Sequence, residues 1–90
     1  MKFAVEIGVT EKNRLEYSFN QLFGTLVVKV NEKPIMRSIR LLNEPLLEVH
    51  IFQVGDQEKT MVRIEKERKQ LLGHTNRLYL NNRLMRVFNG

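Results

Sequence analysis

Apolar and polar residues alternate along most of the chain with the two-residue period of a strand that has one covered face. FAVEIGV sets Phe3, Val5 and Ile7 against Ala4, Glu6 and Gly8. RLEYSF repeats the alternation with Leu15, Tyr17 and Phe19, and LVVKV follows. IMRSIRLL then puts Ile35, Ile39 and Leu41 on one face with Arg37. Pro45 closes that stretch because it has no N–H to give a ladder. LLEVHIFQV is a further strand, ended by Gly55-Asp56.

The segment DQEKTMVRIEKERKQLLG fits two readings. As a helix it is capped by Asp56, striped by Met61, Ile64, Arg68 and Leu71, braced by Glu65 and Lys69, and stopped by Gly73. As a strand it carries Val62 and Ile64 inward. Propensity favours the helix, and an internal repeat decides for the strand. VEIGVTEKNRLEYSF (5–19) aligns with FQVGDQEKTMVRIEK (52–66), so Gly8 meets Gly55, Glu11 meets Glu58 and Lys12 meets Lys59. Tyr17, in an evident strand, meets Ile64. QLFG (21–24) then aligns with QLLG (70–73), and VKVNEK (28–33) with LYLNNR (78–83).

The chain therefore reads as one domain, 1–90, made of two repeat units, about 2–42 and about 46–90. Alone, each unit leaves a sheet face uncovered. The expected fold is all-β: two similar four-stranded antiparallel sheets packed as a β-sandwich. Its expected core sets Phe3, Val5, Ile7, Leu15, Tyr17, Val28, Val30 and Ile35 against Phe52, Val54, Val62, Ile64, Leu78, Leu80, Met85 and Val87.

The glycine turn with its following strand, FQVGDQEKTMVRIEK, and the closing hairpin LYLNNRLM resemble the Fas apoptotic inhibitory molecule family. VEIG and VKVNEKPI echo both. The resemblance spans nearly the whole chain and implies a β-sandwich interaction domain without enzymatic activity. Hairpin turns in that family favour Asn-Gly or Asp-Gly, whereas Glu32 and Asn82 follow the asparagines here. Asn82 tolerates positive φ and Glu32 does so poorly, so the first turn is expected to be longer, using Lys33 and Pro34.

Composition narrows the chemistry. With no cysteine there is no disulfide, thiol nucleophile or thiolate metal site. Glu6 interrupts the start before an apolar signal core forms, and no run reaches membrane-spanning length, so the expected compartment is the cytoplasm. His50 and His74 lack metal-ligand spacing, and no cofactor motif is present. His50 reads as a strand-edge residue and His74 as a loop residue. Glu65 and Glu67 share one strand face at about 7 Å, where Arg63 and Lys69 turn them into a salt-bridged surface rather than an acid–base pair.

Charge is unevenly spread. Residues 1–58 hold seven Lys/Arg and eight Asp/Glu, and residues 59–90 hold eight and two. The candidate surface for an anion or a partner is Arg63, Lys66, Arg68, Lys69, Arg77, Tyr79, Arg83 and Arg86. A two-residue turn at Asn81-Asn82 pairs Leu80 with Arg83, Tyr79 with Leu84, and Arg77 with Arg86. The expectation is a small interaction or structural module, with a protein partner or self-association through an exposed strand edge. Nucleic-acid or polyanion binding through the basic half is the alternative.

Overall fold

The computed structural model describes residues 1–20, 22–39, 46–69 and 73–89. Their regular elements are β1 (Lys2–Ile7), β2 (Asn13–Asn20), β3 (Thr25–Val30), β4 (Lys33–Ile39), β5 (Leu47–Val54), β6 (Thr60–Arg68), β7 (His74–Leu80) and β8 (Arg83–Asn89). Strands β1 to β4 form one four-stranded antiparallel sheet in chain order, and β5 to β8 form another. The chain divides into two compact units, Met1–Glu44 with Gly55–Glu58, and Pro45–Val54 with Lys59–Gly90. Leu41, Pro45, Gln21 and residues 70–72 of the Gln-Leu-x-Gly motifs lie outside the described residues. Among the described residues no helix is long and apolar enough to cross a membrane.

The segment open to two readings is strand β6. Thr60, Val62, Ile64 and Lys66 face one way and are buried, while Met61, Arg63, Glu65 and Glu67 face the other. A ladder on each side, to β5 and to β7, overrides the helix propensity of its Glu, Lys and Arg residues.

Both hairpins use two-residue left-handed turns, with φ of 51° and 69° at Asn31 and Glu32, and 50° and 65° at Asn81 and Asn82. The longer first turn expected from Glu32 does not form. The asparagine side chain supplies the reason. Asn31 Oδ1 accepts the Arg14 N–H at 2.9 Å while the Asn31 N–H donates to the Arg14 carbonyl at 2.9 Å. Asn81 makes the same pair of bonds with Met61, at 2.9 and 2.8 Å. Each turn is thus clamped to the neighbouring strand, and Glu32 follows into a region its side chain disfavours.

Each closing hairpin also carries a bulge at the same place. Val28 pairs with Met36 and Lys29 with Pro34, leaving Ile35 extra; Leu78 pairs with Arg86 and Tyr79 with Leu84, leaving Met85 extra. One inserted residue swaps the faces of everything beyond it. Ile35, Met85 and Val87, expected in the core, are consequently 47%, 51% and 49% exposed. The apolar core of the first unit is Phe3, Ile7, Leu15, Tyr17, Phe19, Leu26 and Val28, with Phe3 and Tyr17 stacked at 4.7 Å. That of the second is Val54, Val62, Ile64 and Leu78. Val5, Val30, Phe52 and Leu80 are half-buried.

The repeat is sharpest in the β1–β2 turn and the turn at 55–58, both in the first unit. Glu11 accepts the backbone N–H groups of Asp56, Gln57 and Glu58 at 2.6–3.0 Å. Glu58 in return accepts those of Val9, Thr10 and Glu11 at 2.8–3.0 Å. These amide bonds, foremost from Asp56 to Glu11 and from Glu11 to Glu58, hold both carboxyls down at about 2. The chain reaches this geometry through Gly8 and Gly55, at φ 104° and 102°. A Cβ at Gly8 would collide with the Glu11 carbonyl oxygen.

Candidate functional site

The exposed face of the second sheet holds part of the basic set. Strand β6 turns Arg63, Glu65 and Glu67 outward, and β7 sets Tyr79, Arg77 and Thr75 directly opposite them. Arg77 donates to Glu67 at 2.9 Å and to Glu65 at 3.1 Å, and these bonds, first the one to Glu67, raise its pKa further. Arg63 Nε lies 3.3 Å from Glu65, an ion pair without hydrogen-bond alignment. Its guanidinium sits 4.0 Å above the Tyr79 ring, and Nη1 donates to Asn82 at 3.1 Å. The two glutamates thus lie in the salt-bridged surface expected of them.

The remaining candidates do not join this face as one surface. Leu80–Arg83 and Tyr79–Leu84 pair as expected, but the bulge at Met85 sets Arg77 opposite Val87 and Arg86 opposite Leu78. The expected Arg77–Arg86 pair is therefore absent, and Arg86 lies 5.0 Å from the Phe88 ring centroid instead. Arg83 is exposed at the turn, and Arg68 and Lys69 are exposed where β6 ends. Lys66 points to the buried face and is 1% exposed, which takes it out of any solvent-facing basic surface.

Lys66 belongs to a polar group that sequence reading dispersed. Its Nζ lies 4.0 Å from Glu48 Oε1, and Glu48 Oε2 lies 2.9 Å from His50 Nε2. Asn76, opposite Lys66 on β7, is fully buried, and His74 is 5% exposed. His74 is thus a buried strand residue and not the loop residue expected. Strand β5 positions this group through the expected parity: Glu48 and His50 face inward with Phe52 and Val54, while Leu47, Val49 and Ile51 face solvent. In the repeat, His50 stands where the first unit has Phe3, Lys66 where it has Phe19, and Asn76 where it has Leu26. An imidazole beside a carboxylate offers a proton acceptor and its orienting partner. The five side chains include no hydroxyl or thiol to act as nucleophile. Among the described residues no cluster of three His, Asp or Glu is arranged to hold a metal ion.

This register leaves Leu47, Val49 and Ile51 exposed at 49%, 45% and 60% along an end strand of the sheet. The sequence set Phe52 and Val54 inward, the parity observed, but LEVHIFQV is apolar at both parities, so the stripe left outside was not singled out. No family model, curated protein or solved structure matches the chain.

Proposed function

We propose that the chain is a non-enzymatic, cytoplasmic interaction module that takes up a protein strand along β5, in the isolated protein the β5 of a second copy. One observation carries this reading. Of the four end strands, β1 contains Lys2, β4 contains Lys33, Pro34 and Arg37, and β8 contains Arg83 and Arg86. Strand β5 has no Lys, Arg or Pro. Natural sheets guard end strands with those residues, because an unguarded edge presents backbone donors and acceptors to any other strand. Glu48, the one charge on β5, is buried beside Lys66 and adds no charge to the strand's solvent-facing side.

Antiparallel pairing of two β5 strands about a two-fold axis at His50 sets Val49 of each copy against Ile51 of the other. Such cross-strand pairs contribute roughly 0.2–1 kcal/mol each. An eight-residue edge buries less than the ~1,000 Å² of a stable interface, so the association is weak and concentration-dependent. Sedimentation velocity from micromolar to millimolar protein tests it. The wild type should pass from monomer to dimer, and Ile51→Lys should stay monomeric throughout. A wild type that remains monomeric at millimolar concentration overturns the reading.

A further inference from the structure

The exposed face of the first sheet carries a hollow of about 460 Å³. One row of the ladder crosses all four strands as Lys2, Ser18, Val27 and Arg37. The next row runs Ala4, Glu16, Lys29. Small side chains, Ala4, Ser18 and Val27, form the floor, and long cations stand around it. With neighbouring strands about 4.8 Å apart, Lys2 and Arg37 emerge roughly 14 Å from each other on opposite sides of the floor. Arg14 also borders the hollow, hydrogen-bonded to Glu16 at 3.1 Å. Among the described residues no carboxylate forms an ion pair with Lys2, Lys29 or Arg37.

The repeat supplies an internal comparison. Where the first sheet has Glu16, Ser18 and Val27, the second has Arg63, Glu65 and Arg77, three charges that satisfy one another. The same backbone framework is thus used once as a closed ionic surface and once as an open basin whose Lys2, Lys29 and Arg37 make no ion pair, with Glu16 in its lining held by Arg14. Like charges gathered over a low-dielectric floor repel one another and are stabilised by an anion placed between them. The basin has the volume of a small-molecule site. It offers no stacking platform, because Phe3 and Tyr17, the aromatics behind it, turn their side chains to the buried face, at 8% and 0% exposure. Single-stranded nucleic acid depends on such platforms, whereas a phosphate chain needs only charge and donors.

We propose that this basin binds a compact oligophosphate, held between Lys2 and Arg37 with Lys29 at its side. The phosphate groups come from free inorganic triphosphate or from the triphosphate of a nucleotide, and titrating the isotope-labelled full chain with each distinguishes the two. At physiological salt, inorganic triphosphate should shift the amides of residues 2, 18, 27, 29 and 37 saturably, and orthophosphate should bind at least tenfold more weakly. Arg37→Gln and Lys29→Glu, each checked for an unchanged spectrum elsewhere, should weaken triphosphate tenfold or more. Arg86→Glu, on the second sheet and equal in charge change to Lys29→Glu, should leave it within twofold. Equal affinity for ATP and triphosphate assigns the site to the phosphate chain alone, and tighter ATP binding assigns it to a nucleotide. Three results overturn the proposal: shifts that do not saturate, equal loss with Arg86→Glu, or tighter binding of single-stranded DNA at the same residues.

Discussion

Two glutamates, Glu11 and Glu58, each gather three backbone amides of the opposite turn. Their identity in the repeat was legible, together with Gly8 and Gly55, but their role was not, since the amides each one binds lie more than forty residues away. The pH dependence follows with a definite sign. Both carboxyls titrate at about 2 in the folded chain against an ordinary 4.5, so ionisation favours folding. That stabilisation is complete above 4.5 and fades as pH falls toward 2. Urea midpoints measured across this window should drop less steeply for Glu11→Gln, which should also be the less stable protein at neutral pH. Gly8→Ala should cost about 3 kcal/mol, because its Cβ meets the Glu11 carbonyl oxygen and its φ is left-handed. Glu32→Gly should do the reverse, raising stability by about 0.5–1 kcal/mol in urea denaturation by relieving φ 69°.

Among the elements, β6 shows where a repeat outweighs propensity: EKERK composition points to a helix, and its alignment with RLEYSF points to the strand that forms. The bulges show the opposite. Ile35 and Met85 continue the apolar alternation of their strands, so nothing in the local pattern marks an inserted residue, and the faces of β4 and β8 beyond it could not be read. Strand β5 was set with the observed parity, Phe52 and Val54 inward, but its inward Glu48 and His50 make sense only beside Lys66 of β6. That arrangement has an energetic signature. Removing one partner of a buried ion pair strands the other, so Glu48→Leu should cost about 3–5 kcal/mol. Adding Lys66→Met should recover most of that loss, giving a strong coupling in a double-mutant cycle by thermal denaturation.

Across the molecule, two copies of one four-stranded design have diverged in complementary ways. Among the described residues the first keeps seven buried apolar side chains, and its exposed face has a basic hollow. The second exchanges apolar core positions for Glu48, His50, Lys66 and Asn76, and closes its exposed face with ion pairs. Sequence reading found the duplication and the all-strand architecture because both are written in period and order. It placed the basic residues of the second unit on one surface because charge count carries no register. It passed over the basin because the first unit is nearly neutral overall and only the ladder brings Lys2, Lys29 and Arg37 together. What sets β5 apart is also a property of the whole, visible only when all four end strands are compared. Amide hydrogen exchange as a function of protein concentration reads that strand directly. Backbone amides of residues 47–54 should gain protection as concentration rises, those of β1, β4 and β8 should not, and Ile51→Lys should abolish the change. Protection in β5 that is independent of concentration, or a gain spread equally over all four end strands, would contradict its role as the contact edge.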